Sequence, residues 1–222
     1  MKTGDTMNKE WSELQKKVKA LLSVKSTIDE GIVKLIELRS VLFEEINKIF
    51  AELSIEDFSK QPFINSNGYE SKTIAYSIYH IFRIEDIVSN VLINKEEQIF
   101  FKNNYQSKLN SPIITTGNEL EKEEIASFSK KLVISELYNY AKEVYEHTNE
   151  SVKKLVPIDF KRKFYDADRN RIVDSNSVEE SEHHLIYYWC GKGIKELLCM
   201  PLSRHWITHI EASLRIAKKI NK

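Results

Sequence analysis

Proline and glycine are scarce, at four and six in 222 residues. Folds built from strands need turn residues at short intervals, so this scarcity argues for long helices. Cysteine is scarcer still. Cys190 and Cys199 have neither a CxxC spacing nor a secreted context, so reduced, partly buried and inert thiols are the simplest reading. Charge of one sign is lacking too: 33 Lys plus Arg balance 33 Asp plus Glu. Such a chain has no field to draw in phosphate backbones, so nucleic acid is not an expected partner. The longest apolar runs, LIYYWC and IFF, fall far short of the about 20 residues of a membrane span, so no membrane is expected either. The opening MKTGDTMNKEWSE carries no apolar signal region, and a cytoplasmic location is expected. No repeat or linker divides the sequence, and its length suits one domain over 1–222.

What is present is helical periodicity. Trp11, Leu14, Val18, Leu21 and Leu22 form one stripe of an N-terminal packing helix. Thr27 and Glu30 read as a capping box before a long amphipathic helix over 27–52, carried by Ile32, Leu35, Leu38, Leu42, Ile46 and Phe50. Ser54 and Asp57 open a short capped turn, and QPFINSNGYE, with Pro62 and Asn67-Gly68, reads as a loop. Residues 71–93 form a second main helix, so apolar around its circumference that it must be buried, and 135–155 a third, followed by Pro157. The last main helix covers 200–220.

Between them, 94–134 reads as loops and short helices, with Asn94 and Asn118 as caps. Asp166, Asp168, Asn170 and Asp174 suggest a calcium loop, but Arg171 stands where the turn needs glycine and Ser177 where a bidentate Glu is required. A solvated hairpin or loop is the expectation there. Val178 to Ile194 reads as a short helix, and Gly191-Lys192-Gly193 as a helix end.

Six histidines remain. His183 and His184 are sequence neighbours about 100° apart on a helix and cannot chelate one ion. His147 sits in the later half of the third helix, where a favourable dipole interaction accounts for it. His205 and His209 differ. At i and i+4 they point the same way, and with His80 from the buried second helix they make three nitrogen ligands, a set that leaves coordination positions open. Buried histidines that merely satisfy hydrogen bonds are the rival reading.

The second helix, TIAYSIYHIFRIEDIVSNVLI, and the final segment, LLCMPLSRHWITHIEASLRI, resemble the DinB-like superfamily of bacterial four-helix bundles. The resemblance extends loosely over the main helices and YYWCGKGIKELLCMPLSRH, but not over 94–134. In that family a His of the second helix and an HxxxH pair of the last bind one divalent metal, and His80, His205 and His209 stand at those motif positions. The resemblance therefore implies an all-α, antiparallel four-helix bundle with additional short helices and an N-terminal helix. It implies bound Zn or Ni, or a similar divalent ion. It also implies transferase chemistry with a low-molecular-weight thiol such as bacillithiol or mycothiol and an electrophile as partners.

Two functions follow as expectations: a metal-dependent thiol S-transferase or hydrolase, or a non-catalytic stress protein binding metal or a small ligand. A homodimer is a further expectation, because exposed amphipathic helices often pair. Arg83, Glu85 and Asp86 read either as outer partners of the ligands or, more simply, as a solvated or interhelical ion-pair face, and the same choice holds for Arg204 and Glu211. Tyr76, one turn before His80, lines a pocket or belongs to the core.

Overall fold

A computed structural model describes residues 8–64 and 71–221, and among them every regular element is helical. Helix α1 (Lys9–Leu21) is capped by Asn8, whose Oδ1 accepts from Glu10 N at 3.0 Å, and it buries Trp11, Gln15 and Val18. Helix α2 (Ile28–Glu52) follows after a single 3₁₀ turn. The box expected between Thr27 and Glu30 does not form. Thr27 instead donates its hydroxyl to the Leu21 carbonyl at 2.8 Å, tying off the end of α1. The two helices pack closely enough that a Cβ on Gly31 would come within 2.7 Å of Leu22. The Ser54–Asp57 box is present, with Ser54 N and Oγ both donating to Asp57. Asn67-Gly68 lies outside the described residues.

Helix α3 (Ile74–Asp86) starts where Thr73 Oγ1 accepts from Tyr76 N, and it is buried along its whole length. The uninterrupted helix expected over 71–93 is not seen. After Asp86 the chain widens into a π-helical stretch, Ile87–Asn94, closed by Lys95 in the left-handed region.

The following segment holds three short helices, α4 (Ile99–Lys102), α5 (Tyr105–Lys108) and α6 (Glu123–Ser129). Neither expected asparagine caps them: Gln98 precedes α4 and Lys122 precedes α6. Asn94 donates to Ser151 Oγ at 2.8 Å, and Asn118 accepts from Thr116 Oγ1 at 2.7 Å.

Helix α7 (Ile134–Lys153) is the third main helix, following α2 and α3. The aspartate-rich segment expected to be a hairpin or loop is helix α8 (Asp166–Asp174). Asp168 accepts from Tyr165 N at 2.9 Å and pairs with Lys95, so its acids cap a helix whose Ile172 is buried. Helices α9 (His184–Cys190) and α10 (Ile194–Cys199) meet at Gly191–Gly193. A second π-helical stretch, Met200–Arg204, then leads directly into α11 (His205–Ile220).

Pro201 explains that widening. It has no N–H to donate and its ring collides with the carbonyl one turn back, so the chain opens. Three carbonyls around this turn accept from side chains. Gln15 Nε2 donates to Cys199 O at 2.7 Å, Ser203 Oγ to Leu198 O at 2.8 Å and Arg39 Nη1 to Leu202 O at 2.8 Å. Helix α3 packs against α7 and α11, and α2 packs against α1, α7 and α11. Their shared core includes Phe43 stacked on Tyr145 at 4.1 Å and Phe82 edge-on to Trp206 at 4.8 Å. No helix among the described residues is long and apolar enough to cross a membrane.

Candidate metal centre

The α3–α11 contact brings the three histidines together. His80 lies at mid-helix in α3, His205 is the first residue of α11, and His209 follows one turn later. The ring centroids are 4.9 Å apart for His80–His205, 4.8 Å for His80–His209 and 4.6 Å for His205–His209. One nitrogen from each lies within 4.8 Å of the others, close enough to hold a metal ion. A tetrahedral ion with nitrogens at 2.0–2.1 Å would hold those atoms about 3.3 Å apart.

Three features suit the cluster to a cation. First, His80 Nδ1 lies 2.9 Å from the Thr116 carbonyl, which can only accept. The proton therefore sits on Nδ1, and Nε2 offers its lone pair. Second, burial pushes the His80 imidazole down to about 4, and burial with the neighbouring rings and Lys72 pushes His205 and His209 well below the usual range. All three are neutral at neutral pH, so no proton competes with a metal. Third, His205 Nδ1 and His209 Nδ1 are buried and have no hydrogen-bond partner.

The other sequence candidates are placed elsewhere. His184 is exposed, His183 is half-buried, and His147 has its Nε2 3.4 Å from Glu96 Oε2. None of them joins the cluster. Arg83, Glu85 and Asp86, expected on a solvated or interhelical ion-pair face, are wholly buried. Glu85 makes the interhelical pair: Arg39 forks onto it at 2.7 and 2.9 Å, and Trp206 Nε1 donates to it at 2.7 Å. Asp86 accepts from Ile99 N, Phe100 N and Tyr140 OH at 2.9 Å each. Arg83 reaches Gln98 Oε1 at 3.0 Å and lies 3.9 Å from the centre of the Phe100 ring. Arg204 is exposed, and Glu211 accepts from Asn8 N at 2.6 Å. Tyr76 does flank the site, nearly parallel to His80 at 5.5 Å, with its hydroxyl donating to Gly117 O at 3.2 Å.

Sequence reasoning missed the loop that completes the centre. Thr116 orients His80 through a backbone carbonyl, which leaves no mark in a sequence. Gly117 beside it has φ +77°, and a Cβ there would meet Tyr76 at 3.3 Å. Glu119 accepts from Thr115 Oγ1, and its other oxygen is buried without a partner. Burial and the Glu119 charge both raise the Tyr76 phenol, which keeps its proton. The one visible signal was a glycine in a polar stretch. Burial raises both cysteine thiols to about 11, as inert cysteines require. In comparisons with known proteins, no family model, curated protein or solved structure matches this chain.

Proposed function

We propose that the chain is a divalent-metal protein built on the DinB-like four-helix plan, with α2, α3, α7 and α11 as its main helices, and that it acts on a small thiol or on water at the three-histidine centre. The supporting observation is the convergence of one ring nitrogen from each of His80, His205 and His209 to within 4.8 Å, with His80 Nδ1 already committed to Thr116. The Nδ1 atoms of His205 and His209 are buried without partners, and an orphaned polar atom costs about 1–3 kcal/mol.

Zn or Ni held there would supply Lewis acidity and favour the deprotonated form of a bound thiol or water. Three neutral imidazoles leave the ion's double positive charge uncancelled, and Lys72 adds to the positive field over the rings. That field favours an anionic fourth ligand, such as a thiolate of the bacillithiol type or hydroxide. Tyr76, held protonated, and Gly117 wall the cluster on the His80 side.

The second reading is a non-catalytic metal or small-ligand protein. Its support is that, among the described residues, the group is three imidazoles with no carboxylate or thiol in it.

Metal analysis of the purified protein beside His80→Ala tests both readings. The proposal expects about one ion per chain in the native protein and loss of that ion in the variant; no tight metal binding by the native protein would sink it. Turnover of a bacillithiol-type thiol with electrophiles separates enzyme from carrier.

A further inference from the structure

Between α5 and α6 the chain forms no regular element, and residues 113–117 lie there as a strap along α3. Each backbone carbonyl of the strap accepts from an α3 side chain. The Tyr79 hydroxyl lies 3.2 Å from Ile113 O and 3.1 Å from Thr115 O and shares one proton between them. Arg83 Nη2 donates to Ile114 O at 2.5 Å, His80 Nδ1 to Thr116 O at 2.9 Å and Tyr76 OH to Gly117 O at 3.2 Å. The donors step back from Arg83 to Tyr76 as the strap advances from Ile114 to Gly117, so strap and helix run antiparallel.

A buried irregular segment must satisfy its carbonyls somewhere, and Tyr76, Tyr79 and Arg83 do no more than that. His80 differs, because the same ring belongs to the three-histidine cluster. Its Nδ1 holds the strap, which leaves Nε2 for a cation. A ring whose Nε2 lone pair is committed to a cation is a more polar donor through Nδ1, and charge-assisted hydrogen bonds are roughly twice as strong as neutral ones. The strap's hydroxyls are spent within the loop, Thr115 Oγ1 on Glu119 and Thr116 Oγ1 on Asn118 Oδ1 at 2.7 Å. Among the described residues, the Thr116 carbonyl is thus the one hydrogen bond between the strap and the three rings.

We propose that the strap is the conformational output of the three-histidine centre: a divalent cation on His80 tightens the docking of 113–117 on α3, and the docked strap raises the affinity for the cation. The proposal rests on the metal reading and adds to it a segment, outside the ligands, that responds to occupancy. Such coupling is reciprocal, so both directions share one factor. Loss of an orienting partner of a ligand histidine costs about 10–100-fold in affinity, which sets its size.

Hydrogen exchange of the full chain, followed by mass on peptides covering 111–120 and α8, compares zinc with chelator. The strap opens locally, so saturating zinc should slow exchange over 111–120 by about 10–100-fold and leave α8, which carries none of the histidines, unchanged. His209→Ala keeps His80 and Thr116 and should lose the slowing along with the ion. Tyr79→Phe frees the Ile113 and Thr115 carbonyls. It should speed exchange of the strap with and without zinc yet preserve the ratio between the two, because the coupling runs through His80. Metal analysis alongside separates the two ways to fail. Zinc bound with no change over 111–120, equal slowing in α8, or loss of the ratio in Tyr79→Phe would overturn the strap proposal and leave the metal reading standing. No bound zinc would sink both.

Discussion

Two buried polar clusters share α3, and they are finished in opposite ways. Around Glu85 every demand is met from within. Each guanidinium nitrogen of Arg39 has an acceptor among Glu85, Asn149 Oδ1 and the Leu202 carbonyl, and Trp206 closes the remaining side of the carboxylate. Around His80, one helical turn away, only one ring nitrogen is assigned inside the protein, while His205 Nδ1 and His209 Nδ1 are left without partners. The first cluster fixes structure and needs nothing from outside. The second is open, and an open cluster of lone pairs is where a ligand gains most. The two are joined through neighbouring residues, since Trp206 and His205 are adjacent at the start of α11. The closed cluster holds the backbone that carries the open one.

Breaking the closed cluster should have the largest effect. Glu85→Ala strands the buried Arg39 charge, and loss of one partner of such a pair costs about 3–5 kcal/mol. Urea unfolding of the metal-free protein should show that loss, and a change below about 1 kcal/mol would mean that the network is not closed.

Filling the open cluster comes next. A divalent ion at a hundred times its dissociation constant should stabilise the native chain by about 2.7 kcal/mol. The gain should vanish in His80→Ala and His209→Ala while persisting in His147→Ala, whose ring lies apart from the three. Thermal unfolding with and without chelator reads the difference directly. A smaller step comes from the loop. Gly117→Ala places a side chain at φ +77° and against Tyr76, which displaces the Thr116 carbonyl from His80. Loss of such an orienting partner lowers metal affinity about 10–100-fold. Competition with a chromophoric chelator measures it, and unchanged affinity would remove Thr116 from the account of the site.

The open cluster was far more legible in the sequence than the closed one. The His205–His209 spacing and the apolar surroundings of His80 announce themselves, because imidazole spacing on a helix follows from its period. Glu85 reads as an ordinary helix charge, since nothing local says that Arg39, 46 positions away, will be buried with it. The helices over 28–52 and 134–153 were visible within a few residues, whereas the two π-helical stretches were hidden. Pro201 signals a disturbance without saying whether the helix stops or widens. The aspartates of α8 suit turns and helix starts alike, and only the buried Ile172 and the Lys95 partner decide between them. How α2, α3, α7 and α11 pack against one another rests on contacts that no periodicity encodes.

The smallest effect is the sharpest test of the contrast. In the closed cluster, removing a polar side chain strands its partner. In the metal-free open cluster, removing one strands nothing, because His209 Nδ1 has no partner to lose. His209→Leu should therefore change metal-free stability at neutral pH by no more than about 1 kcal/mol, in either direction, the lost orphan offsetting imperfect packing. Its signature is in the pH dependence. The folded-state values of the three rings lie below the ordinary imidazole value of 6.5, with His80 at about 4. The unfolded chain therefore takes up protons first as pH falls. Stability should be fully present above about pH 6.5 and decline as pH drops towards 4. With one of the three groups gone, His209→Leu should decline less steeply across that window. Parallel unfolding series at pH 7 and pH 5 decide it: a variant that loses as much stability as the native chain over that interval would show that His209 is not held neutral by burial, and the open cluster would lose one of its three lone pairs.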